Sequence, residues 1–335
     1  MAIKHKRKAT TGYTWLNTDL ADGQIGVNTA DGTLHVLKTD NTVEDINKDT
    51  ATTTYVENRI GLGHSTMRPG GRLSLVSGDA LPSSDIVAAP NIYYVPYVHD
   101  VIQLWDGSIW MEFQFTELSI ALGTLANTFP HDVFCYLNGG VPTLEILAWA
   151  SDSTQTTATT IQDGRYCKSG DKTRLWLGTI LPKTITTCED SELFRGVWNV
   201  YNREGRFCTY TTGDWASTLT TNGAYREYAG GNGVHCYRFV IGLAQNVPVI
   251  TIASNLKTNN SSSGVAILIG DNQSTSNSPS AAQALTYMTS YSLAYNVPGT
   301  MISAAGKHTY YMLQRNINIG DCTSNWCRIS GVVSQ

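Results

Sequence analysis

The chain has 335 residues, 41% of them apolar and 15% charged, with a formal net charge of −4 at neutral pH. That length supports a large buried core in one or two domains, and the mildly acidic balance argues against bulk nucleic-acid binding. No apolar run reaches the roughly 18–20 residues of a helical membrane span, and the basic start at Lys4, Lys6, Arg7 and Lys8 lacks the apolar stretch of a secretory signal, so no membrane insertion is expected. Abundant Thr, Ser, Asn and Gly beside 10% aromatics predict an all-β chain with many turns.

Residues 1–50 predict a small β-meander. Ile25 to Asn28 reads as a short strand, Asp31-Gly32 as a tight turn, and Thr33 to Lys38 as the returning strand, with Leu34 and Val36 on one face. Asp40-Asn41 and Thr42 to Ile46 supply a further turn and strand. Residues 51–71 read as a neck or linker. A short helix over Ala51 to Asn58 and a seam of Tyr55, Ile60 and Leu62 are expected there, broken by Gly61, Gly63, Pro69, Gly70 and Gly71.

Residues 72–335 read as strand after strand. Val101 to Trp105, the Asp106-Gly107 turn and Ser108 to Phe113 form one hairpin. Phe134 to Leu137, the Asn138-Gly139-Gly140 turn and Thr143 to Trp149 form another. Leu175 to Ile180, Cys236 to Ile241, Val247 to Ile252, Val265 to Ile269 and Thr309 to Leu313 follow. Strands at this spacing without amphipathic helices between them predict an antiparallel, jelly-roll-like β-sandwich head. One competing signal is a helix over Thr116 to Leu125, striped by Leu118, Leu122 and Leu125.

Motifs for catalysis are scarce. No nucleophile elbow, zinc-protease helix, phosphate loop or dinucleotide fingerprint is present, and no cofactor is implied. Gly230 to His235 is glycine-rich but reads as a turn. A polysaccharide depolymerase would need two paired carboxylates, for which Glu112, Glu117, Glu145, Glu189 and Asp190 are candidates that sequence cannot pair. Seven cysteines form no close metal-binding pairs. They read as small buried hydrophobes, with Cys322 and Cys327 as a candidate disulfide. The 17 Tyr and 8 Trp outnumber 7 Phe, which suits interfaces and sugar stacking. Trp215, Tyr225, Tyr228 and Trp326 lie in polar segments and are better contact candidates than Trp105 or Trp176. Trp215, Tyr225, Arg226 and Tyr228 form the expected receptor-binding stretch. The competing reading packs these aromatics into the sandwich or against a neighbouring subunit.

Two stretches carry a family resemblance. Lys6-Arg7, Asp19 to Asn28 and Asp31 to Val36 resemble the N-terminal module of bacteriophage tail-fibre proteins, with Gln24 where the pattern usually has Glu. Arg72 to Leu75, Tyr93 to Tyr97, Ile102 to Gly107, Phe115 to Ser119, Val197 to Arg203, Gly306 to Tyr310 and Ile329 to Val333 are similar to a unit recurring at the C-terminal end of phage virion-surface proteins. The resemblance implies a virion protein, made in the host cytoplasm and displayed on the particle. Residues 1–50 would attach to a phage tail or capsid protein, with Lys6, Arg7, Ile25, Val27, Leu34 and Val36 as attachment residues. The head would bind a host-surface receptor, a glycan or a protein. A homotrimer is expected from the thin anchor, narrow neck and large head. A head or collar fibre or capsid decoration protein is the alternative function, and a depolymerase the third.

Overall fold

The computed structural model describes residues 5–21, 24–45, 68–211, 217–219, 225–227, 236–247, 250–258, 264–272, 275–276, 283–287, 291–297, 301–316 and 322–335. The expected helix over Ala51 to Asn58 and the seam at Tyr55, Ile60 and Leu62 lie outside these residues. Among the described residues the chain is all-β, with 32 strands and no helix. It divides into two compact units, Met1–His64 and Ser65–Gln335.

The first unit is a four-stranded sheet. Strands β2 (Ile25–Asn28), β3 (Thr33–Leu37) and β4 (Val43–Asp45) form the expected meander. The basic arm adds a strand of its own, β1 (His5–Lys8), which pairs in parallel with β2. Asn28 explains why the chain folds here. Its buried amide donates to Thr10 O at 3.0 Å and to Asp31 Oδ2 at 2.7 Å, and its Oδ1 accepts from the Ala30 amide at 3.0 Å. These bonds tie the arm to the turn, where Gly32 takes a φ of 71° that a side chain would resist.

The pleat gives this sheet two different faces. Gly26, His35, Leu37 and Val43 share one face, over which Trp15 packs with Leu20. The Trp15 ring lies so close to Gly26 that a Cβ there would meet it at 3.0 Å. Cross-strand partners Ile25↔Val36 and Val27↔Leu34 occupy the other face, between Arg7 on β1 and Glu44 on β4.

The second unit stacks its sheets around three cores. Strands Gly71–Ser74, Asn91–Pro96 and Leu118–Ala121 form a three-stranded sheet. Together with the hairpin Val101–Trp105/Trp110–Gln114, it covers one face of a six-stranded sheet. Leu73, Ile92, Tyr94, Ile102 and Leu104 meet Val133, Cys135, Leu175 and Leu177 in this first core. The predicted helix at Thr116 to Leu125 is therefore a strand, Leu118–Ala121, which pairs with Asn91–Pro96.

Phe134 and Trp176 point to the opposite face of the six-stranded sheet, into a second core with Trp198, Leu181, Phe194 and Val240. Val240 belongs to Cys236–Ile241 in a ten-stranded sheet. Its neighbours Phe239 and Ile241 face away from it, into a third core with Tyr310, Met312, Ile252 and Ile329. The last two come from a five-stranded sheet that includes Ile250–Thr258 and Cys322–Ser334. The six- and ten-stranded sheets thus bury apolar side chains on both faces, so the predicted sandwich is a multilayered one.

The turn chemistry is as the sequence predicts. Gly107 has φ 113°, and the Asp106 carboxylate accepts from the Ser108 and Ile109 amides at 2.7 and 2.9 Å. Gly139 and Gly140 both take positive φ, 59° and 87°. The candidate bridge Cys322–Cys327 does not fit. Both residues lie in one continuous strand, where a separation of five residues spans about 16 Å, against the ~7 Å that a disulfide tolerates.

Candidate functional site

The expected receptor stretch is only partly described. Trp215 and Tyr228 lie outside the described residues. Tyr225 is 1% exposed, under the Arg315 guanidinium at 4.7 Å from its ring centroid. It is therefore no surface platform for a sugar, which corrects the expectation. Its strand, Tyr225–Glu227, pairs with Gly306–Asn316, so alternation turns Tyr225 inward and Arg226 outward. Trp176 is fully buried, as its apolar context implies.

The expected attachment residues stand on one small sheet. Ile25, Val27 and Val36 are half-buried and Leu34 is 36% exposed, with Lys6 and Arg7 exposed on the neighbouring strand. Lys6 donates through its ammonium to the Asp19 carbonyl, so the arm is fastened at its centre.

The other titratable groups mostly hold the head together. Glu117 accepts from Ser77 Oγ at 2.9 Å and the Gly78 amide at 2.6 Å. Glu145 pairs with Arg174 at 2.8 Å, and Glu112 accepts from Gln103 at 2.5 Å. Asp190 sits between Arg195 at 3.6 Å and Arg206 at 3.4 Å. Beside it Arg72, 3% exposed, donates to the carbonyls of Ala80 at 3.2 Å, Gln335 at 3.1 Å and Asn202. The cavity among these groups is about 20 Å³, room for a single water. It is a structural junction with no space for a ligand.

Asp132 is the most perturbed carboxyl. Burial pushes it up to about 6, although Trp176 Nε1 (3.1 Å), Thr179 Oγ1 (2.8 Å) and Gln155 Nε2 (3.1 Å) all donate to it. It lies beneath the six-stranded sheet with no cleft beside it. The five described cysteines, at 135, 167, 188, 208 and 236, are all buried. Burial pushes the Cys135 thiol up to about 12 and Cys167 to about 11, so neither is an activated nucleophile.

One open cleft stands apart from these clusters. Thr128, Leu181, Pro182, Lys183, Phe194, Arg238 and Lys307 line a space of about 210 Å³. Leu181, Pro182 and Phe194 are buried and make an apolar floor. Lys183 projects from Pro182–Thr184, with its ammonium 4.7 Å from the Phe194 ring centroid and 2.9 Å from Glu189. Lys307 is fixed twice to Asp152: its amide donates to the carbonyl at 2.8 Å and its ammonium reaches the carboxylate at 2.8 Å. Arg238 stands between them in sequence order, opposite Thr309 in the ladder. Sequence reasoning missed this site. Its residues are scattered from 128 to 307, and only the long-range pairing brings them together.

No family model matches the chain, and no curated protein matches it. Solved structures give weak likenesses. The chain is similar to a family two carbohydrate esterase from Cellvibrio japonicus at 11% identity, over 38% of this chain and 35% of that one, with a TM-score of 0.19. It is similar to the insecticidal delta-endotoxin Cry8Ea1 from Bacillus thuringiensis at 9% identity, over 82% and 55%, with a TM-score of 0.22. A third likeness is to infectious bursal disease virus, Gx strain, at 11% identity, over 91% and 65%, with a TM-score of 0.21. The chain spans between 35% and 65% of the length of these structures. At such TM-scores they carry no functional argument.

Proposed function

We propose that the protein is a bacteriophage virion-surface fibre, a homotrimer attached to the particle by residues 1–50 and presenting residues 72–335 to a host-surface glycan. The observation that carries this reading is the two-faced N-terminal sheet. One face is filled by the unit's own Trp15, Leu20 and Leu37. The other presents Ile25, Val27, Leu34 and Val36 half-exposed beside the basic Arg7. So small a sheet with a second apolar face suits a module that docks on a larger assembly. The tail-fibre resemblance of the same residues supports the reading independently.

The test is a Val27→Asp/Leu34→Asp variant, assayed for incorporation into particles. Both residues lie away from the Trp15 core, so the unit stays folded. The expected result is particles that lack the protein, with the head still soluble. Normal incorporation overturns the attachment role. Finding the wild-type protein on the capsid instead of the tail favours the head-fibre or decoration reading. In the receptor stretch Arg226, exposed on its strand, is the described residue to change. Arg226→Ala is expected to weaken adsorption of particles to host cells, and unchanged adsorption removes that stretch from the receptor site.

A further inference from the structure

We propose that the cleft formed by Thr128, Lys183, Phe194, Arg238 and Lys307 binds one carboxylate-bearing sugar ring, a uronic or sialic-type acid; this deepens the glycan-binding reading and rests on it. The cleft's volume is about 210 Å³. Sites that engulf a drug-sized ligand run to roughly 300–1,000 Å³. This one therefore admits a single ring of a longer chain and leaves the rest in solvent.

Its chemistry is that of a sugar acid. Three cationic side chains border the cleft. The printed ion pairs set two carboxylates against them, Glu189 on Lys183 and Asp152 on Lys307, leaving an excess of one positive charge. That excess sits on a chain whose net charge is −4. A guanidinium fork matches a carboxylate in two-point geometry, and ammonium groups beside it add charge without a fixed direction. The apolar floor of Leu181, Pro182 and Phe194 takes the C–H face of a pyranose, as sugar-binding surfaces do. The Thr128 hydroxyl at the exposed rim suits a ring hydroxyl. An inorganic phosphate could use the cations but not the floor. The pairing of Lys307 with Asp152 and of Lys183 with Glu189 holds two of the three cations in place before any ligand arrives, which lowers the ordering cost of binding.

The experiment titrates the full-length protein with glucuronic acid and N-acetylneuraminic acid, following saturation-transfer NMR. Their methyl esters and inorganic phosphate serve as controls. One of the two acids is expected to bind with a Kd on the order of 1 mM, typical of a single shallow site. Its ester should bind at least about tenfold more weakly, since loss of a charge-assisted pair is worth a factor of that size. Thr128→Glu places a carboxylate at the rim without disturbing a buried group, and should abolish binding while the thermal melt is unchanged. Arg238→Gln should weaken it similarly. Acids that bind no better than their esters, or a Thr128→Glu protein that binds normally, overturn the proposal. So does phosphate that binds as tightly as the acids. Adsorption separates this proposal from the glycan-binding reading. If particles adsorb by a host glycan but sugar acids neither bind nor compete, the reading stands and the cleft proposal falls. If the acid binds in a Thr128-dependent way but Thr128→Glu particles adsorb normally, the cleft stands and its role in attachment falls.

Discussion

Asp132 shows how a single carboxyl tunes the head. Its three donors favour the ionised form, but burial outweighs them and lifts it from an ordinary 3.8 to about 6. The folded state then holds this proton more tightly than the unfolded chain. The resulting stabilisation is fully present below about pH 4 and is lost as the pH rises through about 6. Its size is on the order of 3 kcal/mol. Replacing the carboxyl by an amide removes the titration. The stability of wild type relative to Asp132→Asn should therefore increase as the pH falls from 7 to 4, measured by urea unfolding at each pH. A difference that stays flat would show that the carboxyl ionises in the fold as it does in water. Residue identity alone hides this behaviour. Asp132 beside His131 reads as a charged pair near a turn, whereas the ladder places both in the buried strand His131–Asn138. Tyr225 misleads for the same reason. Its polar neighbours suggest a surface loop, but pairing with Gly306–Asn316 turns the ring inward.

At the level of elements, turns were the most legible feature. Asp106-Gly107 and Asn138-Gly139-Gly140 fix their hairpins through positive φ and side-chain bonds that act within a few residues. The strands Ile25–Asn28 and Cys236–Ile241 also fall where alternation puts them. What failed depended on partners. Leu118, Leu122 and Leu125 have helical spacing, yet Gly123 takes φ 60° and Asn91–Pro96 offers a pairing edge. The strand His5–Lys8 was unreadable because charged residues carry no apolar period. The cysteine spacing suggested a bridge only while the backbone between Cys322 and Cys327 was unknown. The N-terminal sheet yields its own prediction. Trp15, 5% exposed, provides most of the ring surface over Gly26 and Leu37. Truncating such a residue costs about 3–5 kcal/mol, comparable to all that a small unit has. Trp15→Ala should therefore unfold residues 5–45, seen as lost amide-exchange protection over Ile25 to Leu37. The melting of the second unit should be unchanged. Retained protection would mean that another segment holds the sheet.

At the scale of the molecule, the all-β class was legible from composition and turns, but the layering was not. Which strands meet is decided across long stretches of chain. Phe194–Arg195 pairs in parallel with Cys236–Ile241, and Thr187–Ser191 pairs with Ile86–Ala89. The cationic cleft inherits that opacity, since its walls come from strands that only this pairing assembles. The proposed trimer is checked by light scattering at micromolar concentration. The expected mass is three times the 36.5 kDa of one chain, and a monomer mass would remove the threefold fibre.

The junction around Arg72 has a consequence for synthesis. Arg72 is made early, yet two of the carbonyls that bury it belong to Asn202 and Gln335. The five-stranded sheet likewise needs Cys322–Ser334 to join Gly205–Thr211 to Ile250–Thr258. The second unit therefore cannot mature in the order in which the ribosome delivers it. Its first strands wait, with a solvated guanidinium and open edges, for residues made some 260 positions later. A chain interrupted before Cys322 is expected to collect in aggregates through those edges, recovered in the pellet after lysis, and not to persist as a shortened soluble head.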